Sequence, residues 1–73
     1  MNMFDIAGVE AKVAGVVRRA LVDDIRSQVF VTQDETTKEI KVGDIVDCPA
    51  KNVLGRVVDI RQELSGVLTI QYK

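Results

Sequence analysis

The sequence predicts an α+β fold, in which an N-terminal amphipathic helix precedes a small antiparallel four-stranded sheet or barrel. Two observations carry this prediction. Apolar residues recur at helical spacing in the first third of the chain, whereas apolar and polar residues alternate between turn-forming residues in the rest. The 73 residues contain no linker-like segment and no internal repeat. We therefore expect a single domain at 1–73, with the helix at about 3–26 and the β module at about 28–73.

The helix prediction depends on steps of about 100° per residue, which place most apolar side chains of residues 3–26 on one side and most charged side chains on the other. Two interior glycines weaken it, since each costs about 1 kcal/mol relative to alanine inside a helix. The alternative is a strand over residues 13–22, but its alternation is poor because Arg18 and Arg19 would lie on opposite faces. The helix is the preferred interpretation.

The apolar side of this helix is wide and covers about half of the circumference, whereas a surface helix needs a stripe of only about 100° or slightly more. A chain of this size is commonly stabilised by disulfides, metals or oligomerisation. One cysteine and no histidine cannot supply a disulfide within the chain or a structural zinc site. Either the helix lies deep across an open sheet, or subunits share it. In the second case the predicted interface residues are Val9, Val13, Val16, Val17 and Leu21.

Four short strands are predicted after Ser27, at residues 28–32, 39–48, 53–61 and 67–72. The second strand is interrupted by a Gly-Asp pair and ends before Pro49, because proline cannot donate to a sheet ladder. Gly55 indicates a bulge or a tight bend near the start of the third strand. A turn at 63–66 joins the last two strands into a hairpin.

Two short motifs resemble those of KOW-type and related SH3-like small barrels. They read K-V-G-D-I-V at 41–46 and G-R-V-V-D-I at 55–60, and the resemblance covers about 41–61 of the chain. It implies that the β module is a small barrel, and it implies RNA or ribosome binding. The cations that would contact phosphate are Lys51, Arg56 and Arg61. Three aspartates lie among them, and no aromatic residue interleaves with them as a platform for stacked bases.

The charge balance does not favour a nucleic-acid partner. Ten basic and eleven acidic residues give a net charge of −1, whereas nucleic-acid modules are usually net basic. No apolar stretch reaches the roughly 18 residues of a membrane span, and the N-terminus lacks the pattern of a signal peptide. With a single cysteine, these features predict a cytoplasmic protein without a membrane partner.

Residues that could carry chemistry are few. Cys48 has no histidine to act as its base, so it is interpreted as a small core residue. The carboxylate pairs at 23–24 and 34–35 do not form an acid/base dyad, and neither a phosphate-binding loop nor a calcium loop occurs. We therefore expect a protein that is not an enzyme and that uses no metal or cofactor.

These observations favour a small protein-interaction or assembly module that forms a homo-oligomer or binds a protein partner through its N-terminal helix. In build, a helix with a small barrel is similar to small bacteriophage virion and assembly proteins. The alternative is a KOW-like module that associates with RNA or the ribosome. The charge balance favours the first hypothesis.

Overall fold

The computed structural model describes residues 8–63 and 66–73, and these residues form a closed antiparallel β-barrel. Its strands are β1 (Val9–Val13), β2 (Val16–Asp23), β3 (Gln28–Thr32), β4 (Ile45–Cys48), β5 (Val53–Gln62) and β6 (Val67–Tyr72). Around the barrel the order is β1-β2-β3-β6-β5-β4, and β4 pairs with β1 to close it. This architecture is compatible with the SH3-like or KOW-type barrel that the two sequence motifs predicted.

The predicted α+β class and its N-terminal helix are wrong. Within the described residues the helical segments are two short 3-10 helices, Glu35–Glu39 and Pro49–Lys51. Positions 3–7 of the predicted helix lie outside the described residues, and the remainder of 3–26 contains β1 and β2. The strand alternative for residues 13–22 is the correct one for most of that stretch, because β2 begins at Val16.

A tight turn explains how two strands fit where one helix was expected. Val13 pairs with Val16, so Ala14 and Gly15 alone connect β1 to β2. Both have positive φ, 55° for Ala14 and 78° for Gly15, as a two-residue turn compatible with strand twist requires. Glycine adopts this conformation readily, but alanine does so rarely. The turn therefore lacks the Asn-Gly or Asp-Gly signature that would have marked it in the sequence.

The barrel consists of two three-stranded meanders, β1-β2-β3 and β4-β5-β6. One long seam joins them where β3 pairs with β6 over five residues, from Gln28↔Gln71 to Thr32↔Val67. The other seam, between β1 and β4, has two pairs among the described residues, Lys12↔Asp47 and Val13↔Val46. The two meanders are thus held together unequally on the two sides of the barrel.

The core fills the inside of the barrel with aliphatic side chains from every strand. Alternation along each strand directs these residues inward, and Ile40 from the segment before β4 packs with them. The buried residues of this cluster are Ala11, Val13, Ala20, Val22, Val29, Val31, Ile40, Val46, Cys48, Val57, Leu68, Ile70 and Tyr72. Cys48 therefore lies in the core, as the sequence predicted.

The strand predictions for the second part of the chain agree closely with the structure. The predicted strands at 28–32 and 67–72 coincide with β3 and β6, and the predicted strand at 53–61 corresponds to β5. The predicted strand at 39–48 is shorter, since only Ile45–Cys48 is extended. A turn precedes it, in which the Asp44 amide donates to the Lys41 carbonyl at 3.1 Å. Of the predicted turn at 63–66, positions 64–65 lie outside the described residues.

Candidate interaction surface

The five residues predicted to form a shared interface do not share one face of the fold. Val13 is fully buried in the barrel core, and Val9 packs partly against that core. Val16 and Leu21 are half-buried, while Val17 points outward. Because these positions alternate along strands rather than follow a helix, the common apolar side on which their selection depended does not exist.

The three predicted phosphate-contacting cations are exposed but separated along the fold. Lys51 ends the 3-10 helix that follows β4. Arg56 lies opposite Ile45 of β4, whereas Arg61 lies opposite Thr69 of β6, on the other side of an irregularity in β5. Asp59 lies between the two arginines. The fold therefore does not gather these cations into a single basic surface.

An exposed apolar patch lies on the outer face of β4 and β5. It consists of Val42, Ile45, Leu54 and Val58, which we call the apolar patch. Leu54 is 75% exposed and Val42 63%, so both aliphatic side chains are largely in contact with solvent. Ile45 and Val58 are each about half exposed, at 48% and 46%.

Strand pairing brings these four residues together. Leu54, Arg56 and Val58 alternate along β5, and Ile45 of β4 lies directly opposite Arg56. The Gly43 amide donates to the Val57 carbonyl at 2.9 Å, which holds the turn containing Val42 beside the same part of β5. Ile45, Leu54 and Val58 therefore lie around Arg56 on the outer side of β4 and β5, and Val42 lies in the adjoining turn.

Charged residues of both signs border the apolar patch. Arg56 lies within it, and Lys12 pairs across the short seam with Asp47, which in turn lies opposite Leu54. A cleft of about 430 Å³ adjoins this border and is lined by Lys12, Ala14, Gly15, Gly43, Asp44, Ile45 and Asp47. An apolar centre with a mixed-charge border has the anatomy of a protein-binding surface.

A buried arginine lies at a different part of the barrel. Arg18 points inward from β2 with only 6% of its side chain exposed, and its Nη1 donates to Asp34 Oδ1 at 3.3 Å. Its Nε and Nη2 are buried without an acceptor among the described residues. Ala11 lies opposite Arg18 on β1, where a small side chain leaves room for the guanidinium.

Asp34 holds this arginine and also starts the 3-10 helix at Glu35–Glu39. Its carboxylate accepts from the Thr36 amide at 2.9 Å, the Thr36 hydroxyl at 2.6 Å and the Thr37 amide at 3.2 Å. The Thr36 side-chain hydrogen bond is the main cause that lowers the pKa of Asp34 below 3.8; backbone bonds from Thr36 and Thr37 and the Arg18 charge act in the same direction, against desolvation. The arginine therefore anchors the segment that follows β3.

Sequence reasoning missed both the apolar patch and the Arg18–Asp34 contact. For the patch a signal was present, since Leu54 and Val58 occupy the outward positions of the predicted third strand. For Arg18, the signal in the sequence was a charged residue in residues 13–22 at a position where strand alternation would place an inward, apolar side chain. Neither feature brings together groups that could carry out a reaction, because Asp34 and Arg18 are engaged with each other and the patch is aliphatic.

The chemistry available elsewhere in the described chain is limited. In residues 8–63 and 66–73, no three histidine, cysteine, aspartate or glutamate side chains are grouped to hold a metal ion. Over the same ranges there is no helix long and apolar enough to cross a membrane. Comparison with protein-family models, curated proteins and solved structures finds no match to this chain.

Proposed function

We propose that this chain is a small non-enzymatic assembly module that self-associates or binds a protein partner through the apolar patch. The observation that carries the proposal is the grouping of four exposed aliphatic residues on β4, on β5 and in the turn before β4. Single exposed apolar residues are common on soluble proteins, but contiguous exposed apolar surface marks interaction sites. Burying such surface contributes roughly 25 cal/mol for each Å² removed from water.

The size of the chain supports the same proposal. The barrel formed by the described residues has a small core, and the single cysteine of the chain is buried and free. Small domains of this kind often gain stability by association. The apolar patch replaces the N-terminal helix as the proposed contact surface, because residues 8–26 form strands and a hairpin instead.

A nucleic-acid module of the KOW type receives less support from this surface. Arg56 has Ile45 opposite it on β4, Asp59 lies between Arg56 and Arg61 on β5, and Asp47 lies on β4 opposite Leu54. Phosphate binding depends on several cations that face the same groove. We therefore propose a protein, rather than a nucleic acid, as the partner.

The proposal is tested by the solution mass of the protein, measured by light scattering over a range of concentrations. We expect the wild type to self-associate and Leu54→Asp to weaken self-association by about tenfold or more, because a charge in an apolar contact is left without solvent. Since Leu54 is 75% exposed, the variant should keep its fold, which circular dichroism verifies.

The matched control is Ile25→Asp, in the connection between β2 and β3. Ile25 is 96% exposed and lies outside the apolar patch. This variant should associate as the wild type does. A wild type that stays monomeric at every concentration, or a Leu54→Asp variant with unchanged mass, would contradict self-association through the patch.

A further inference from the structure

One half of β5 has an unpaired edge. Residues Val53–Arg56 pair with β4, and the Val57 amide donates to the Asp44 carbonyl at 2.7 Å. Beyond Val57 the strand pairs among the described residues join β5 to β6 only. The segment from Val58 to Gln62 is therefore paired with β6 only, and we call its other side the free edge.

The backbone groups at the free edge follow from the pairing with β6. The Glu63 amide donates to the Val67 carbonyl at 2.8 Å, which fixes the hydrogen-bonding phase of this antiparallel ladder. By alternation, Asp59 and Arg61 direct their backbone groups toward β6, and Ile60 and Gln62 direct theirs toward the free edge. A second strand could accept and donate at these two residues.

The sequence of the free edge is complementary to itself in the antiparallel direction. When two copies of residues 58–62 are paired about Ile60, Asp59 of each copy lies opposite Arg61 of the other. Val58 then lies opposite Gln62. The side chains of Asp59 and Arg61 are exposed, so two ion pairs can form across the two-fold axis.

Other registers are less favourable. Centring the pair on Asp59 or on Arg61 places like charges opposite each other, and it directs the wrong backbone groups across the gap. Centring it on Gln62, the last residue of β5, pairs only part of the free edge. The register centred on Ile60 is therefore favoured both by the side-chain charges and by the directions of the backbone hydrogen-bonding groups.

Charged residues on edge strands commonly prevent association between copies. Such protection is strongest when the charges share one sign, because two copies then repel each other. Here the two charges have opposite signs and are two residues apart, so antiparallel copies attract each other. The arrangement favours one specific contact rather than none.

We infer that a second copy of this chain docks on the free edge, so that β5 pairs with β5 of the other copy in an antiparallel arrangement centred on Ile60. The inference rests on the proposed assembly function and identifies the partner as the chain itself. The contact continues the barrel sheet from one copy to the next by main-chain hydrogen bonds, as in strand addition. An isologous contact of this kind closes as a two-fold dimer.

Charge exchange tests this inference. Arg61→Glu places a glutamate opposite Asp59 of the other copy, and Asp59→Lys places a lysine opposite Arg61, so each variant alone has two like-charge pairs. We expect each to weaken the β5–β5 contact by about tenfold or more, measured as the dimer dissociation constant by sedimentation velocity. An equimolar mixture of the two variants should restore association, because opposite charges then lie across the contact at both pairs.

In that mixture, one strand carries aspartate and glutamate and the other carries lysine and arginine. Both cross-strand pairs therefore join opposite charges, and the mixture should form a heterodimer of near wild-type affinity. This recovery depends on the antiparallel register centred on Ile60. A loss of folding in either variant alone could not produce it.

Lys38→Glu is the matched control, because Lys38 is exposed on the 3-10 helix Glu35–Glu39, outside both the free edge and the apolar patch. It should leave the free-edge contact unchanged. Charge variants that associate as the wild type does, or a mixture no stronger than its components, would overturn the free-edge contact. If Leu54→Asp still reduces the mass in that case, the assembly function stands and only this contact fails. If the wild type is monomeric at every concentration, the free-edge contact and self-association through the apolar patch both fail, and only binding of a different protein through the patch is left of the proposed function.

Discussion

β5 and β6 are neighbours in the same sheet, yet one is almost wholly exposed and the other almost wholly buried. In β6 every residue except the half-buried Gln71 is buried. In β5 only Val57 is buried, although the strand is longer and comparably rich in aliphatic residues. β6 has a strand on each side along most of its length, whereas β5 changes partners at its middle. The comparison shows that pairing on both sides, more than amino-acid composition, determines how deeply a strand of this barrel is buried.

The largest expected effect comes from truncating β6. Ile70 is fully buried, so Ile70→Ala leaves a cavity in the barrel and should cost about 2–5 kcal/mol of the free energy of unfolding. Leu54→Ala removes the corresponding atoms from an exposed position on β5 and should cost no more than about 0.5 kcal/mol. Urea denaturation of both variants measures the contrast. Equal costs would show that the exposed strand is covered in solution.

A smaller loss of stability is expected from a substitution at a close contact between β5 and the end of β6. A Cβ atom on Gly55 of β5 would lie 2.6 Å from Cδ2 of Tyr72 and 2.9 Å from the carbonyl oxygen of Lys73. Since the backbone oxygen cannot move aside easily, Gly55→Ala should destabilise the protein by about 1–3 kcal/mol in the same denaturation assay. Arg56→Ala, at the next and exposed position, is the control and should lie near the wild type.

The smallest effect on stability is expected near β3, the strand that pairs with β6 on the side opposite β5. Asp34 follows β3, and its lowered pKa means that the unfolded chain takes up a proton at a higher pH than the native chain. The stability from this carboxylate is thus fully present above pH 3.8 and is lost as the pH falls through the native pKa. Asp34→Asn should reduce the acid dependence of the urea midpoint. Asp24→Asn, in the exposed connection between β2 and β3, should retain it; the same loss in both variants would contradict this assignment.

The second part of the fold could be predicted because local signals there agree with the tertiary structure. Residues 28–32 and 67–72 are β-branched or alternating, and their ends are marked by turn residues. Alternation along the predicted strand at 53–61 puts Leu54 and Val58 on one face, a signal that was present but was not recognised as an exposed patch. Val42 is placed by a turn that depends on tertiary hydrogen bonds, and Ile45 by pairing with β5, so the complete patch could not be predicted.

The first part of the chain was misinterpreted for a physical reason. Arg18 occupies an inward position of β2, where an aliphatic residue is expected, and its charge is compensated by Asp34, far along the sequence. A tertiary ion pair of this kind leaves no local trace. Ala14 in the left-handed conformation similarly concealed the turn between β1 and β2. Because Arg18 breaks the strand alternation and Ala14 conceals the turn, the helical spacing of alanine and valine was the stronger pattern in this part of the sequence.

The unequal seams of the barrel also determine how the chain reaches and leaves its native state. Within each meander, pairing joins residues that are near in sequence, so these hairpins can form quickly and independently. The seam between β1 and β4 joins residues that are distant in sequence, so its formation carries the entropy cost of closing a long loop. Two residue pairs among the described residues offset that cost. This seam is therefore the place where the closed barrel opens at the lowest free energy, as a subglobal fluctuation that leaves the β3–β6 seam intact.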